Sequence, residues 1–184
     1  KIFSSNMVLQ RDMPIPVWGK AVPGSKVEIR LGTIIKTTLA VKDSTWKLYL
    51  SKQPATHHPQ SLFISSGDTA VQFHNILFGD LWLCIGQSNM EWPMMKEVHY
   101  NEEIRKSNQQ LLRFYNPTYA GKDIFGTKFT DSVAAMLTAE AFYKGHWQTC
   151  DSNSFKLMSA VAYYFGKQIT NETNIPVGLI NLAI

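Results

Sequence analysis

The stretch Phe78–Pro93, "FGDLWLCIGQSNMEWP", runs an apolar segment into Gly-Gln-Ser-Asn-Met, and Ser88 is its residue most suited to covalent chemistry. A serine in the sharp turn after a parallel strand projects into the crevice where open α/β sheets bind ligands. There its hydroxyl can attack a carbonyl while its own backbone N–H, and a neighbour's, face the oxyanion that forms. The spacing is not the G-x-S-x-G elbow of α/β-hydrolases, because Met90 stands where the second glycine would be. On residue type and spacing alone, a cap for the following helix outweighs a nucleophile as the role of Ser88.

A serine near its free pKa is a poor nucleophile and needs a base within hydrogen-bond reach. The histidines are His57, His58, His74, His99 and His146. His57 and His58 precede Pro59 in an expected turn and His74 falls on an expected strand, so these three read as solvated or structural. His99 lies in the segment leaving the serine turn and could line a pocket; His146 sits in an aromatic-rich loop. Trp92, beside Pro93, either stacks on a sugar or packs. Asn89 and Glu91 either bond substrate hydroxyls or cap the next segment, and Gln87 completes the candidate oxyanion and substrate-pocket set. Met90, Met94 and Met95 read as filler, and Asp80 as satisfying turn backbone groups. There is no HExxH, no phosphate-binding glycine loop and no calcium loop, so neither metal nor cofactor is expected.

The elements that must position Ser88 follow from hydrophobic periodicity. Residues 7–78 break into short β-rich segments, from "IPVWGKA" to "TAVQFHNILF", with alternation such as Val27, Ile29 and Leu31 against Lys26, Glu28 and Arg30. Pro23-Gly24, Gly32, Asp43-Ser44 and Gly67-Asp68 punctuate them, and residues 1–78 are expected to form a small antiparallel β-sandwich. From Gly79 the texture changes. "GDLWLCIG" suits a strand buried on both faces of a parallel sheet, "NEEIRKSNQQ" a short helix and "LLRFYNP" a strand stopped by Asn116-Pro117. "FKLMSAVAYYFGKQI" suits a helix capped by Ser154 with Leu157, Val161, Tyr164, Phe165 and Ile169 at helical spacing, and "IPVGLINLAI" a buried strand. Residues 79–184 therefore read as an α/β domain with a parallel sheet. "FTDSVAAMLTAEAFY" reads equally as helix or ordered loop.

With 45% hydrophobic residues in 184, the chain can bury a substantial core. Lys and Arg (18) exceed Asp and Glu (14) by four, spread along the chain without a basic stripe, which argues against a nucleic-acid partner. Cys84 and Cys150 have no CxxC or zinc spacing and read as two buried free thiols. No apolar run reaches the roughly 18 residues of a membrane span. Residues 1–20 lack a signal peptide's pattern, and a first residue other than Met reads as a mature or trimmed chain. The Asn171-Glu172-Thr173 sequon reads as chance.

Taken together and in order, "NMVLQRDMPIPVWGKAVPGSKV", "GDLWLCIGQSNMEWPM", "FKLMSAVAYYFGKQI" and "IPVGLINLAI" resemble the sialate O-acetylesterase family of SGNH-type hydrolases, over nearly all of the chain and least from 95 to 145. The resemblance implies a small β domain followed by the first part of a flavodoxin-like SGNH hydrolase domain. It makes Ser88 the nucleophile and its backbone N–H one oxyanion donor, in a metal-free acyl transfer from O-acetylated sialic acid. The same chemistry on acetylated xylan, and a non-catalytic glycan-binding or structural role, stand as alternatives. The family's base lies in an Asp-x-x-His-like segment, and its further oxyanion asparagine in a Gly-Glu-Ser-Asn-like block. Neither precedes Ile184, so the chain is expected to be the N-terminal portion of a larger enzyme whose C-terminal part completes the site. Ile85 and Leu182 depart from the small polar residues expected there in relatives. Substrate class and trimmed start together suggest an extracytoplasmic location.

Overall fold

The computed structural model describes residues 2–183. Alternating side chains build the first half: β1 (Val8–Gln10), β2 (Ile15–Lys20), β3 (Lys26–Leu31), β4 (Ile34–Leu39), β5 (Thr45–Leu50), β6 (Thr56–Ser66) and β7 (Thr69–Cys84). In β3, Val27, Ile29 and Leu31 are buried; in β5, Trp46, Leu48 and Leu50 are. The β2–β5 pair is a separate two-stranded sheet, whose apolar face shares one core with Leu62 of β6 and Ile76 and Phe78 of β7. Each such buried aliphatic or aromatic side chain contributes about 1.5–3 kcal/mol relative to exposure.

The large sheet has eight strands. Its remaining members are β8 (Gln109–Tyr115), β11 (Trp147–Cys150) and β12 (Val177–Asn181), while β9 (Thr118–Tyr119) and β10 (Tyr143–Lys144) pair apart from it. The order is β11-β8-β12-β7-β6-β3-β4, with β1 also beside β7. β12 runs parallel to both β7 and β8, and β1 parallel to β7, whereas β11–β8, β7–β6, β6–β3 and β3–β4 are antiparallel. The chain is thus mixed α/β around a mixed sheet that includes parallel pairs. The 78/79 position lies inside β7, whose sixteen residues run without a break from the antiparallel into the parallel part of the sheet. Gly79 sits at that passage with the Pro176 carbonyl oxygen only 1.9 Å from where a Cβ would be, so no side chain fits.

The helices are α1 (Ser88–Glu91), α2 (Tyr100–Glu103), α3 (Asp131–Ala134) and α4 (Ala160–Thr173), with 3₁₀ turns at Met94–Lys96, Ile104–Lys106 and Phe155–Leu157. The sequence expectation for α4 needs two corrections. Its cap is Ser159, whose hydroxyl accepts from the Ala162 N–H, while the Ser154 hydroxyl donates to the Thr149 carbonyl. The buried stripe is Ala162, Tyr163, Gly166 and Thr170, while Leu157, Val161, Tyr164 and Phe165 are exposed. Small residues let the helix lie close on the sheet, where Leu112, Phe114, Val177 and Leu179 form a second core with Ala162 and Tyr163.

"GDLWLCIG" is likewise not buried on both faces. Among the described residues, β7 has a strand on one side only from Leu81 to Cys84, and Leu83 is 59% exposed. Asp80 lies within β7 and pairs with Arg11 (Nε to Oδ1, 2.9 Å), so it does not serve a turn. Of residues 129–143, only the α3 turn and Tyr143 of β10 take regular form. Both cysteines are free and buried, as expected.

Candidate active site

Three parallel strands end at one place. β7 leads through Ile85-Gly86-Gln87 to Ser88, β8 is followed by Asn116, and β12 ends on Asn181. All three residues line a crevice of about 560 Å³ at the carboxyl ends of the strands, the place where open α/β sheets gather ligands. The turn is tight: a Cβ on Gly86 would stand 3.0 Å from the Met90 Cβ. The Gln87 carbonyl accepts the Met90 N–H (2.7 Å) and the Glu91 N–H (3.1 Å), closing the single turn of α1.

Ser88 is exposed on the first residue of α1; Gln87 holds the cap position and makes no side-chain cap bond. Among the described residues no hydrogen bond engages the Ser88 hydroxyl, so the capping role weighed from sequence is not the one it plays. Glu91 and Trp92 line the crevice with Ser88. Gln87 and Asn89 are exposed on the same turn and do not line it.

Sequence reasoning missed much of the wall. Asn181 Nδ2 donates to Asn116 Oδ1 (2.8 Å), and Asn116 Nδ2 donates to the Leu157 carbonyl (2.8 Å), which ties two strand ends to the turn before α4. Asn116-Pro117 was legible only as a strand stop, and Asn181 only as a member of a buried strand. Trp92 is half exposed, its Nε1–H donates to the Lys96 carbonyl (3.3 Å), and the Lys96 ammonium lies 5.6 Å from its ring centroid. Trp92 and Met94 are tied to the start of α4 through Ala160 N–H to the Trp92 carbonyl (2.9 Å) and Met94 N–H to the Met158 carbonyl (2.9 Å). Lys122 reaches Glu91 at 3.4 Å, so the rim carries both signs of charge. Burial, and then the nearby Glu91 carboxylate, push the Tyr119 hydroxyl above its ordinary pKa.

None of the five histidines lines the crevice. His99 pairs with Glu97 (3.1 Å), His57 Nε2 lies 2.6 Å from the Asn174 carbonyl oxygen, and His74 Nδ1 lies 3.3 Å from the Ser61 hydroxyl. His146 is exposed between β10 and β11. Among the described residues no three of His, Cys, Asp and Glu are grouped to hold a metal ion, and no helix is long and apolar enough to cross a membrane. The site therefore presents an unengaged serine hydroxyl, amide side chains and an aromatic wall.

No family model matches the chain. The sialate O-acetylesterases of Pongo abelii and Homo sapiens are each 29% identical to it over 191 residues, covering 96% of this chain and 35% of theirs. That of Mus musculus is 27% identical over 187 residues, covering 95% of this chain and 33% of its own. A crystal structure of a carbohydrate acetylesterase from Xanthomonas citri superposes with a TM-score of 0.82 at 25% identity, over 98% of this chain and 38% of that one. The chain thus spans about a third of the length of the curated relatives it matches. Over nearly its whole length the chain is similar to part of the sialate O-acetylesterases.

Proposed function

We propose that this chain forms part of a serine carbohydrate esterase that removes acetyl groups from sugar hydroxyls through Ser88, with O-acetylated sialic acid as substrate. The observation that carries the reading is the delivery of Ser88, Asn116 and Asn181 to one crevice by three adjacent parallel strands. In this reaction the Ser88 Oγ bonds to the acetyl carbonyl carbon as a base takes its proton, and the oxyanion rests on the Ser88 backbone N–H. The sugar oxygen leaves with that proton. Water then attacks the acetyl-serine, and acetate and free Ser88 result.

With no histidine at the crevice, the base belongs to polypeptide beyond these 184 residues, in keeping with the share of the relatives that the chain spans. Trp92 serves as the stacking wall for the sugar ring. Gln87, Asn89 and Glu91 supply oxyanion and hydroxyl contacts once substrate and the rest of the polypeptide enclose the turn. Residues 1–78 form a β-sandwich unit that buttresses the SGNH-type domain of 79–184, and the protein acts outside the cytoplasm.

The solved neighbour is a carbohydrate acetylesterase, a class that also admits a second reading, the same chemistry on acetylated polysaccharide such as xylan. Rates of acetate release from O-acetylated sialic acid and from acetylated xylan, by a polypeptide carrying this chain at the relatives' full length, separate the two. Faster release from the sialic acid ester supports the first reading, and faster release from xylan replaces it with the second. Glycan binding without turnover on either would mean a non-catalytic role.

A further inference from the structure

A second cavity, of about 660 Å³, opens near the amino end of β8 and shares no lining residue with the serine crevice. Arg113 lines it. In β8, Leu112 and Phe114 turn into the core beneath α4, which leaves Arg113 on the other face of the sheet. The residue is only 4% exposed. Its Nη1 donates to the carbonyls of Gln110 and Leu112. Its Nε is buried and has no hydrogen-bond partner, and none of the ion pairs among the described residues includes it.

A buried guanidinium without a counter-charge is strongly destabilising, and burial does lower the pKa of Arg113. Arginine nevertheless stays charged at neutral pH. The neighbouring acids do not neutralise it. Burial pushes the Cys150 thiol up to about 12, so it is uncharged. Asp151, which also lines the cavity, is a carboxylate but makes no ion pair with Arg113: its Oδ1 accepts the Asn153 and Ser154 N–H groups, and its Oδ2 the Thr149 hydroxyl. The side-chain amides of Asn108 and Gln110 border the same space.

We propose that this cavity is an anion site, separate from the serine crevice, in which a carboxylate or phosphate is held by the charge of the Arg113 guanidinium. The guanidinium presents its donors as a planar fork that fits both oxyanions. The amides of Asn108 and Gln110 add neutral donors at the mouth.

The test is a titration of the 184-residue chain with acetate and, separately, with phosphate, chloride holding ionic strength constant. The readout is the ¹H–¹⁵N resonance of the Arg113 side-chain Nε–H, assigned by its loss in Arg113→Lys. A saturable shift is expected with at least one anion, unchanged in Ser88→Ala, with Kd raised about fivefold in Gln110→Ala, where one neutral donor is lost. Saturation by acetate alone would identify a carboxylate site, and by phosphate alone a phosphate site. A linear, unsaturating response to both anions, or a saturable one that Ser88→Ala abolishes, would overturn the proposal.

Discussion

Asn181 and Asn116 act on the crevice as a pair. Asn181 donates to Asn116, which donates to the Leu157 carbonyl, so the amide chain joins β12, the end of β8 and the turn before α4. In Asn181→Leu the Asn116 oxygen loses its donor in a partly buried place, and a loss of about 1–3 kcal/mol in stability is expected from urea unfolding. An unchanged midpoint would mean the pair does not hold the strand ends. At this scale the sequence was legible in part. Ser88 stood out through its motif, and Glu91 and Trp92 beside it do line the crevice. Asn116 and Asn181 did not stand out, because their place in the site depends on β12 inserting between β7 and β8, a pairing that neither strand's own residues encode.

Among the elements, α4 teaches the most. Its apolar spacing led to the right helix, but of Val161, Tyr164, Phe165 and Ile169 only Ile169 packs against the core, because close approach to Leu112 and Leu179 selected Gly166 on the buried face. A hydrophobic stripe counts apolar area; the fold here required close approach. The same helix is tied to α2 by Glu103, which accepts from Lys167 and from the Tyr163 hydroxyl (3.1 Å). Burial alone would raise the Glu103 pKa, but hydrogen bonds from Lys167 and Tyr163 outweigh it and hold the carboxyl below its ordinary range. A depressed folded pKa stabilises the fold above the unfolded value, about 4.3, and that stabilisation is lost as pH falls through the folded value. Glu103→Gln is therefore expected to lower the melting temperature at pH 7 and to flatten the fall in stability below about pH 4. An acid limb as steep as wild type would remove Glu103 from that role.

On the scale of the whole molecule, one sheet carries both halves of the chain, with β7 running unbroken through the passage at Gly79. The strands β2 to β6, β8 and β12 were legible from alternation and turn residues, and the α/β class from the change of texture after Gly79, whereas β1 and β9 to β11 were not and β7 read as two strands. The partnering of strands was not, nor was the open edge of β7 from Leu81 to Cys84, where Leu83 and Trp82 remain exposed. That edge leads into the serine turn, and the crevice lined by Ser88, Asn116 and Asn181 has no histidine in its wall. The central claim, that Ser88 is the acyl-transfer nucleophile, is tested most directly by acetate release from O-acetylated sialic acid, comparing wild type with Ser88→Ala in a polypeptide that carries this chain at its relatives' full length. The account predicts a loss in kcat of at least about a thousandfold with the fold intact; equal release by the two proteins would contradict it.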